Sequence, residues 1–208
     1  MQKVVPAILT DSAEDLERKL QSLQGASEWV HIDIMDGSFV PNQSFNLKEW
    51  SGAEDYSIEI HLMVSNPIEY LEDCKRIGAK RVLIHVESEN SDEAIEKREE
   101  YGFEIGLVLN IETPIDTLSG LSGDIDSAML MSVHSGFQGQ PFLPESLGRA
   151  KETKERFPDL LLAMDGGMSR TNIKKVFETG VDYIIIGSKV IAAEDPVAAL
   201  RSVQEMVQ

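Results

Sequence analysis

Eight short apolar runs recur along this chain at a nearly constant interval, and that alternation limits the available folds more than any other feature. The runs are Val4–Leu9, Trp29–Ile34, Ser57–Met63, Arg81–Val86, Glu104–Leu109, Ala128–Val133, Leu160–Met164 and Tyr183–Ile186. Several are apolar almost without a break, which is the pattern of parallel strands buried on both faces. Amphipathic segments lie between them. Asp11–Leu23 opens on Asp11 or Ser12 as N-cap and sets Leu16, Leu20 and Leu23 on one face. Pro67–Ile77 carries Pro at its first helical position and is followed by Gly78. Ser91–Tyr101 runs up to Gly102 and Thr171–Thr179 up to Gly180, while Pro144–Phe157 and Pro196–Val207 complete the helices. The links after the second and fifth runs read as short or irregular helices. Successive runs start roughly 26 residues apart, the length of a minimal βα unit. Eight such units predict an α/β chain folded as a (β/α)8 TIM barrel, compact beside the usual length of about 250 residues. With no linker-like stretch, one domain over residues 1–208 is expected. Strand counting leaves a doubly wound open sheet as the alternative.

The chain has 208 residues, of which 42% are apolar, so it carries material for a sizeable core. Its 19 Lys and Arg stand against 36 Asp and Glu, a net charge of −17. Such a surface repels phosphate backbones and anionic lipid heads, which argues against nucleic-acid and membrane partners. A small phosphate ester remains possible, because a few local backbone N–H groups outweigh the distant field. Cys74 is the only cysteine, so an internal disulfide is excluded and a reducing compartment is expected. No apolar run is long enough to span a bilayer. Met1 to Thr10 lacks the order of a signal peptide. A cytoplasmic protein is the expectation.

In such a barrel the chemistry sits at the carboxyl ends of the strands. The second run continues as His31-Ile32-Asp33-Ile34-Met35-Asp36-Gly37, and alternate residues of a strand share a face. His31, Asp33 and Met35 therefore point one way. The third run ends in His61-Leu62-Met63, the sixth in Met131-Ser132-Val133-His134 and the seventh in Asp165-Gly166-Gly167. A single His or Asp at a strand end is ordinarily a hydrogen bonder or a turn cap. Four such groups at one rim ask for more, since two buried carboxylates repel and lose hydration unless a cation or shared protons compensate. A divalent metal held by His31, Asp33, His61 and Asp165 meets that need. Mixed N/O ligation suits zinc, manganese, iron or cobalt.

Small residues mark a second function. Gly166-Gly167 and Gly187-Ser188 follow the seventh and eighth runs, where barrels of this type hold phosphate. Gly136, Gln138 and Gly139, after the sixth run, offer a third side. Met35, Met63 and Met131 fall beside the proposed metal as an apolar, polarisable cap. His85 reads equally as a core or a supporting histidine, the direction of His134 is open, and Cys74 reads as packing.

These residues resemble a known family. His31-Ile-Asp-Ile-Met-Asp-Gly-Ser-Phe-Val-Pro-Asn42, Ile60-His-Leu-Met-Val-Ser-Asn-Pro67, Met131-Ser-Val-His-Ser-Gly-Phe-Gln-Gly-Gln140 and Met164-Asp-Gly-Gly167 resemble ribulose-phosphate 3-epimerases across essentially the full chain. The resemblance implies a barrel that interconverts D-ribulose 5-phosphate and D-xylulose 5-phosphate, with a divalent metal on the matching His and Asp pairs. It implies Asp33 and Asp165 as the catalytic acid/base pair, the three methionines as site lining, and a homo-oligomer. Two departures stand out. Pro6-Ala7-Ile8-Leu9 has Ala where the family pattern has a substrate-contacting Ser, and Ser135-Gly-Phe-Gln-Gly139 replaces Pro-Gly-Phe-Gly-Gly.

Inverting C3 beside a C2 ketone needs a carboxylate on each face of the sugar, with metal stabilising the enediolate and phosphate anchoring the far end. An epimerase for another ketose phosphate, such as allulose 6-phosphate, is a close alternative. A non-catalytic phosphosugar-binding barrel is a more distant one. A decarboxylase or aldolase is disfavoured, because such barrels place a Lys beside Asp at the strand ends. Here only Lys189 lies near the rim.

Overall fold

The computed structural model describes residues 3–121 and 123–207. Its strands are β1 (Val4–Ile8), β2 (Trp29–Met35), β3 (Ser57–Met63), β4 (Arg81–His85), β5 (Glu104–Leu109), β6 (Ser127–Met131), β7 (Leu161–Asp165) and β8 (Tyr183–Ile186). Each pairs in parallel with its sequence neighbours, and β1 also pairs with β8, so the sheet closes on itself. Closure rules out the doubly wound sheet, whose strand order reverses partway and leaves two edges.

The helices are α1 (Ala13–Ser22), α2 (Ile68–Arg76), α3 (Ser91–Glu96), α4 (Arg98–Tyr101), α5 (Ser146–Arg156), α6 (Ile173–Phe177), α7 (Ser188–Ile191) and α8 (Pro196–Gln204). Short 3-10 turns, Leu47–Glu49 and Ile115–Gly120, occupy the links after β2 and β5. Ser12 is the residue that caps α1, its hydroxyl accepting the Asp15 N–H at 3.2 Å. Leu16 and Leu20 of that helix are buried, each worth roughly 2 kcal/mol of transfer free energy. The expected helix Ser91–Tyr101 is divided at Lys97 into α3 and α4, and α7 is an added turn between β8 and α8.

Strand alternation sorts residues between two environments. Val30, Ile32 and Ile34 of β2, with Ile58, Ile60 and Leu62 of β3, face outward into the core beneath the helices. This explains why the runs look continuously apolar: the outward set is aliphatic throughout, and much of the inward set is too. Val5, Leu83, Val108, Met129, Ala163 and Ile185 form a second apolar cluster inside the barrel. The same inward face of β2 and β3 carries His31, Asp33, Glu59 and His61. The register sets Asp33 beside His61, Met35 beside Met63, and Met131 beside Asp165. Among the described residues no helix is long and apolar enough to cross a membrane.

Candidate active site at the carboxyl mouth of the barrel

His31 and Asp33 lie two residues apart on β2, His61 is on the adjacent β3, and Asp165 ends β7 across the ring. One ligand atom from each of the four lies within 4.8 Å of the others. His31 and His61 are wholly buried beneath the floor of the mouth, Asp33 is buried, and Asp165 is half-buried. The Asp33 Oδ1 takes His31 Nε2 at 3.3 Å and His61 Nδ1 at 3.0 Å. Among the described residues no protein donor reaches the Asp165 carboxylate.

The two carboxylates are driven apart in acidity. Burial pushes the Asp33 carboxyl up, but the hydrogen bonds from His31 and His61 outweigh it and hold the group well below the usual carboxylate range. For Asp165, burial and then the neighbouring Asp33 charge push the carboxyl up to about 6. His31 is disfavoured as a cation by burial, yet its bonds to Asp33 and Glu59 raise it to about 10. With no metal, the His31 imidazolium is thus the cation that compensates this acidic cluster. Two imidazole nitrogens and two carboxylates, one of them without a donor, make a donor set that fits a divalent metal.

One cleft opens above this cluster. Asp33, Met35, Met63, Met131 and Asp165 line its floor, and Gly136, Gln138, Gly139, Gly166, Gly167, Gly187 and Ser188 line its wall from the loops after β6, β7 and β8. Backbone shape there demands glycine at two positions. A Cβ on Gly166 (φ +109) would sit 2.4 Å from Val133 Cγ2, and one on Gly167 (φ +62) would sit 2.6 Å from the Phe142 backbone. The Gln138 side-chain amide lies against Gly187, its Nε2 being 3.1 Å from where a Cβ would stand, and the Ala7 carbonyl oxygen is 3.6 Å from the same point. The two departures from the family pattern thus meet near one spot on the cleft wall. Asn42 ties the loop after β2 to this wall by donating to the Gly136 carbonyl at 2.7 Å. Phe137, 54% exposed, is the one large apolar side chain standing out among the described residues. His134 is exposed at the cleft's edge and pairs with Glu112 at 3.1 Å, and Cys74 is buried in α2. Lys189 also lines the cleft.

Sequence reasoning left several polar residues of the interior unassigned. Glu59 is fully buried, with Oε1 accepting His31 Nδ1 at 2.7 Å and Oε2 accepting Arg81 Nη1 at 2.9 Å and the Tyr183 hydroxyl at 2.7 Å. On the other flank His85 Nε2 meets His61 Nε2 at 2.9 Å, and His85 Nδ1 meets Glu87 Oε2 at 3.1 Å. A signal for Glu59 was available: it lies two residues before His61, so it shares that inward face. Glu87 stands in the same relation to His85, two residues away, but lies beyond the end of β4, where alternation no longer fixes which way a side chain points.

A closed parallel barrel with acid, base and imidazole groups gathered at its carboxyl mouth defines a TIM-barrel enzyme. Residues 3–191 match the family model described as "Ribulose-phosphate 3 epimerase family". The chain is 32% identical to ribulose-phosphate 3-epimerase of Synechocystis sp., over 97% of this chain and 92% of that one. It is 30% identical to the Bacillus subtilis protein of the same name, over 98% and 99%. It therefore belongs to the ribulose-phosphate 3-epimerase family and is an epimerase. Two solved structures share the fold alone. A 3-hexulose-6-phosphate synthase superposes with a TM-score of 0.71 at 16% identity over 98% of both chains. Orotidine 5'-monophosphate decarboxylase from Sulfolobus solfataricus gives 0.70 at 14% identity, over 100% and 98%.

Proposed function

We propose that this chain interconverts D-ribulose 5-phosphate and D-xylulose 5-phosphate, with Asp33 removing the C3 proton and Asp165 delivering another to the opposite face. The observation that carries the reading is the pair of carboxylates, on β2 and on β7 across the ring, pushed in opposite directions at one mouth. Epimerisation beside a ketone requires a proton to leave one face of C3 and another to arrive on the opposite face. Ionised Asp33 takes the C3 proton. The C–H electron pair becomes the C2–C3 double bond, and the carbonyl pair moves onto O2 to give an enediolate. Protonated Asp165 then donates to the other face of C3 while the electrons return to the C2 carbonyl. Asp33 is left protonated and Asp165 ionised, which is the starting arrangement for the reverse reaction.

His31, Asp33, His61 and Asp165 would hold the divalent cation. Zinc, manganese, iron or cobalt, when bound, supplies Lewis-acid stabilisation of the oxyanion charge. Met35, Met63 and Met131 keep water away from the reacting carbon. The backbone N–H groups around Gly136, Gln138, Gly139, Gly166, Gly167, Gly187 and Ser188 receive the phosphate and so fix C3 between the carboxylates. Ala7 and the Gln138 amide beside it favour one second reading, a longer ketose phosphate such as allulose 6-phosphate.

The test is a panel of ketose phosphates incubated in D₂O with metal-loaded protein, with the C3 position read by NMR. Deuterium should enter D-ribulose 5-phosphate as D-xylulose 5-phosphate appears. Faster exchange into a hexulose phosphate would transfer the assignment to that sugar, and no exchange into any of them would remove it.

A further inference from the structure

An imidazole binds a cation only through a nitrogen lone pair, so the nitrogen that carries the proton decides where each His can coordinate. His31 Nδ1 faces Glu59 Oε1, and an ionised carboxylate only accepts, so Nδ1 carries hydrogen and Nε2 is the atom left facing Asp33. Glu59 is itself immobilised by Arg81 and Tyr183. Arg81 in turn is held by Glu104 at 2.6 Å and lies over the rings of Trp29 and Tyr183, 4.9 and 5.5 Å from their centroids.

The second imidazole is constrained from the opposite side. Glu87 accepts the Asn110 N–H at 3.0 Å and the Thr113 hydroxyl, and its other oxygen faces His85 Nδ1. That nitrogen therefore carries hydrogen, which leaves Nε2 of neutral His85 as an acceptor. Two nitrogens 2.9 Å apart share one proton, so His61 Nε2 donates to His85, and Nδ1 is the His61 nitrogen left facing Asp33 and the ligand cluster. The His61 and His85 rings meet edge to edge, nearly coplanar with centroids 5.0 Å apart, and Phe39 packs on His85 at 4.7 Å.

We infer that Glu59 and the His85–Glu87 pair are positioning residues, two separate relays that fix the tautomers of His31 and His61 so that Nε2 of one and Nδ1 of the other face a single cation. The inference rests on the reading of His31, Asp33, His61 and Asp165 as a metal site. Groups that orient metal-binding imidazoles from behind typically change affinity by about 10–100-fold when removed.

Cobalt(II) titration of the full-length protein, followed by visible absorbance, tests this. Glu59→Ala and Glu87→Ala should each weaken Co²⁺ binding by about 10–100-fold, and Glu59→Gln and Glu87→Gln, which keep an accepting oxygen, should each weaken it less. Glu87 is partly exposed, so its variants stay informative should loss of the buried Glu59 charge impair folding. Long-range ¹H–¹⁵N spectra of metal-free protein supply a readout independent of the ion: the His85 proton should sit on Nδ1 in wild type and lose that preference in Glu87→Ala. Wild-type Co²⁺ binding with unchanged affinity in both Glu59→Ala and Glu87→Ala would overturn the positioning role alone. Absence of Co²⁺ binding by wild type would overturn the metal reading and this inference together.

Discussion

Asp33 and Asp165 are the same side chain placed in two environments, and the difference between them is the core of the site. Asp33 receives two imidazole donors, while Asp165 receives none and faces the Asp33 charge. A carboxyl raised in the folded state favours folding fully below its unfolded value, near 3.8, and this contribution is lost as pH rises through about 6. Metal-free Asp165→Asn should therefore be more stable than wild type at pH 7.5, by on the order of 1–2 kcal/mol once partial exposure is allowed for. The gap should close by pH 4. Urea unfolding at the two pH values checks both the sign and the window. The inward face of β2 and β3 was legible at this scale, because alternation alone aligns His31, Asp33 and Met35, and His61 with Met63. The links among Glu59, Arg81 and Tyr183 were not, since Tyr183 meets Glu59 from 124 positions away and only a closed ring brings them together.

The elements divide labour along their length. The strand carboxyl ends and their loops form the cleft, while helices and caps bury the outward faces. Two substitutions separate these duties. Ser12→Ala removes the hydroxyl that accepts the Asp15 N–H and should cost about 1 kcal/mol of stability with turnover unchanged. Gly166→Ala places a methyl 2.4 Å from Val133 Cγ2 at a positive φ. It should deform the phosphate wall, raising KM at least tenfold beyond any change in kcat. Steady-state kinetics beside thermal melts distinguish the two, and a Gly166→Ala enzyme with wild-type KM would contradict the assigned wall. Strand positions were readable because apolar runs between turn residues leave few choices. Their carboxyl ends shifted by a residue or two, as at β6, where Ser132 instead donates to the Asp165 carbonyl. The four-residue α7 is too short to leave a periodic pattern, so nothing in the sequence marked it.

At the scale of the molecule, an acidic chain gathers Asp33, Glu59 and Asp165 into its interior, where a bound cation would add to the compensation that His31 and Arg81 supply. Loading the site with Mn²⁺ at about 100 times its Kd should add about 2.7 kcal/mol to the stability of the whole barrel. That corresponds to a rise of roughly 5–10 °C in Tm for a chain of this size. A melt that ignores Mn²⁺ would contradict the metal site. Closure of eight strands was anticipated from their count and spacing, whereas the meeting of β7 with β2 across the mouth is a property of the closed ring and was visible only as an expectation. The account as a whole depends on that meeting. Its most direct test is interconversion of ribulose and xylulose 5-phosphates in D₂O by metal-loaded Asp33→Asn and Asp165→Asn, each shown to be folded by circular dichroism. Both variants should lose epimerisation by about 10²–10⁴-fold. Epimerisation near the wild-type rate in either one would contradict the two-carboxylate account.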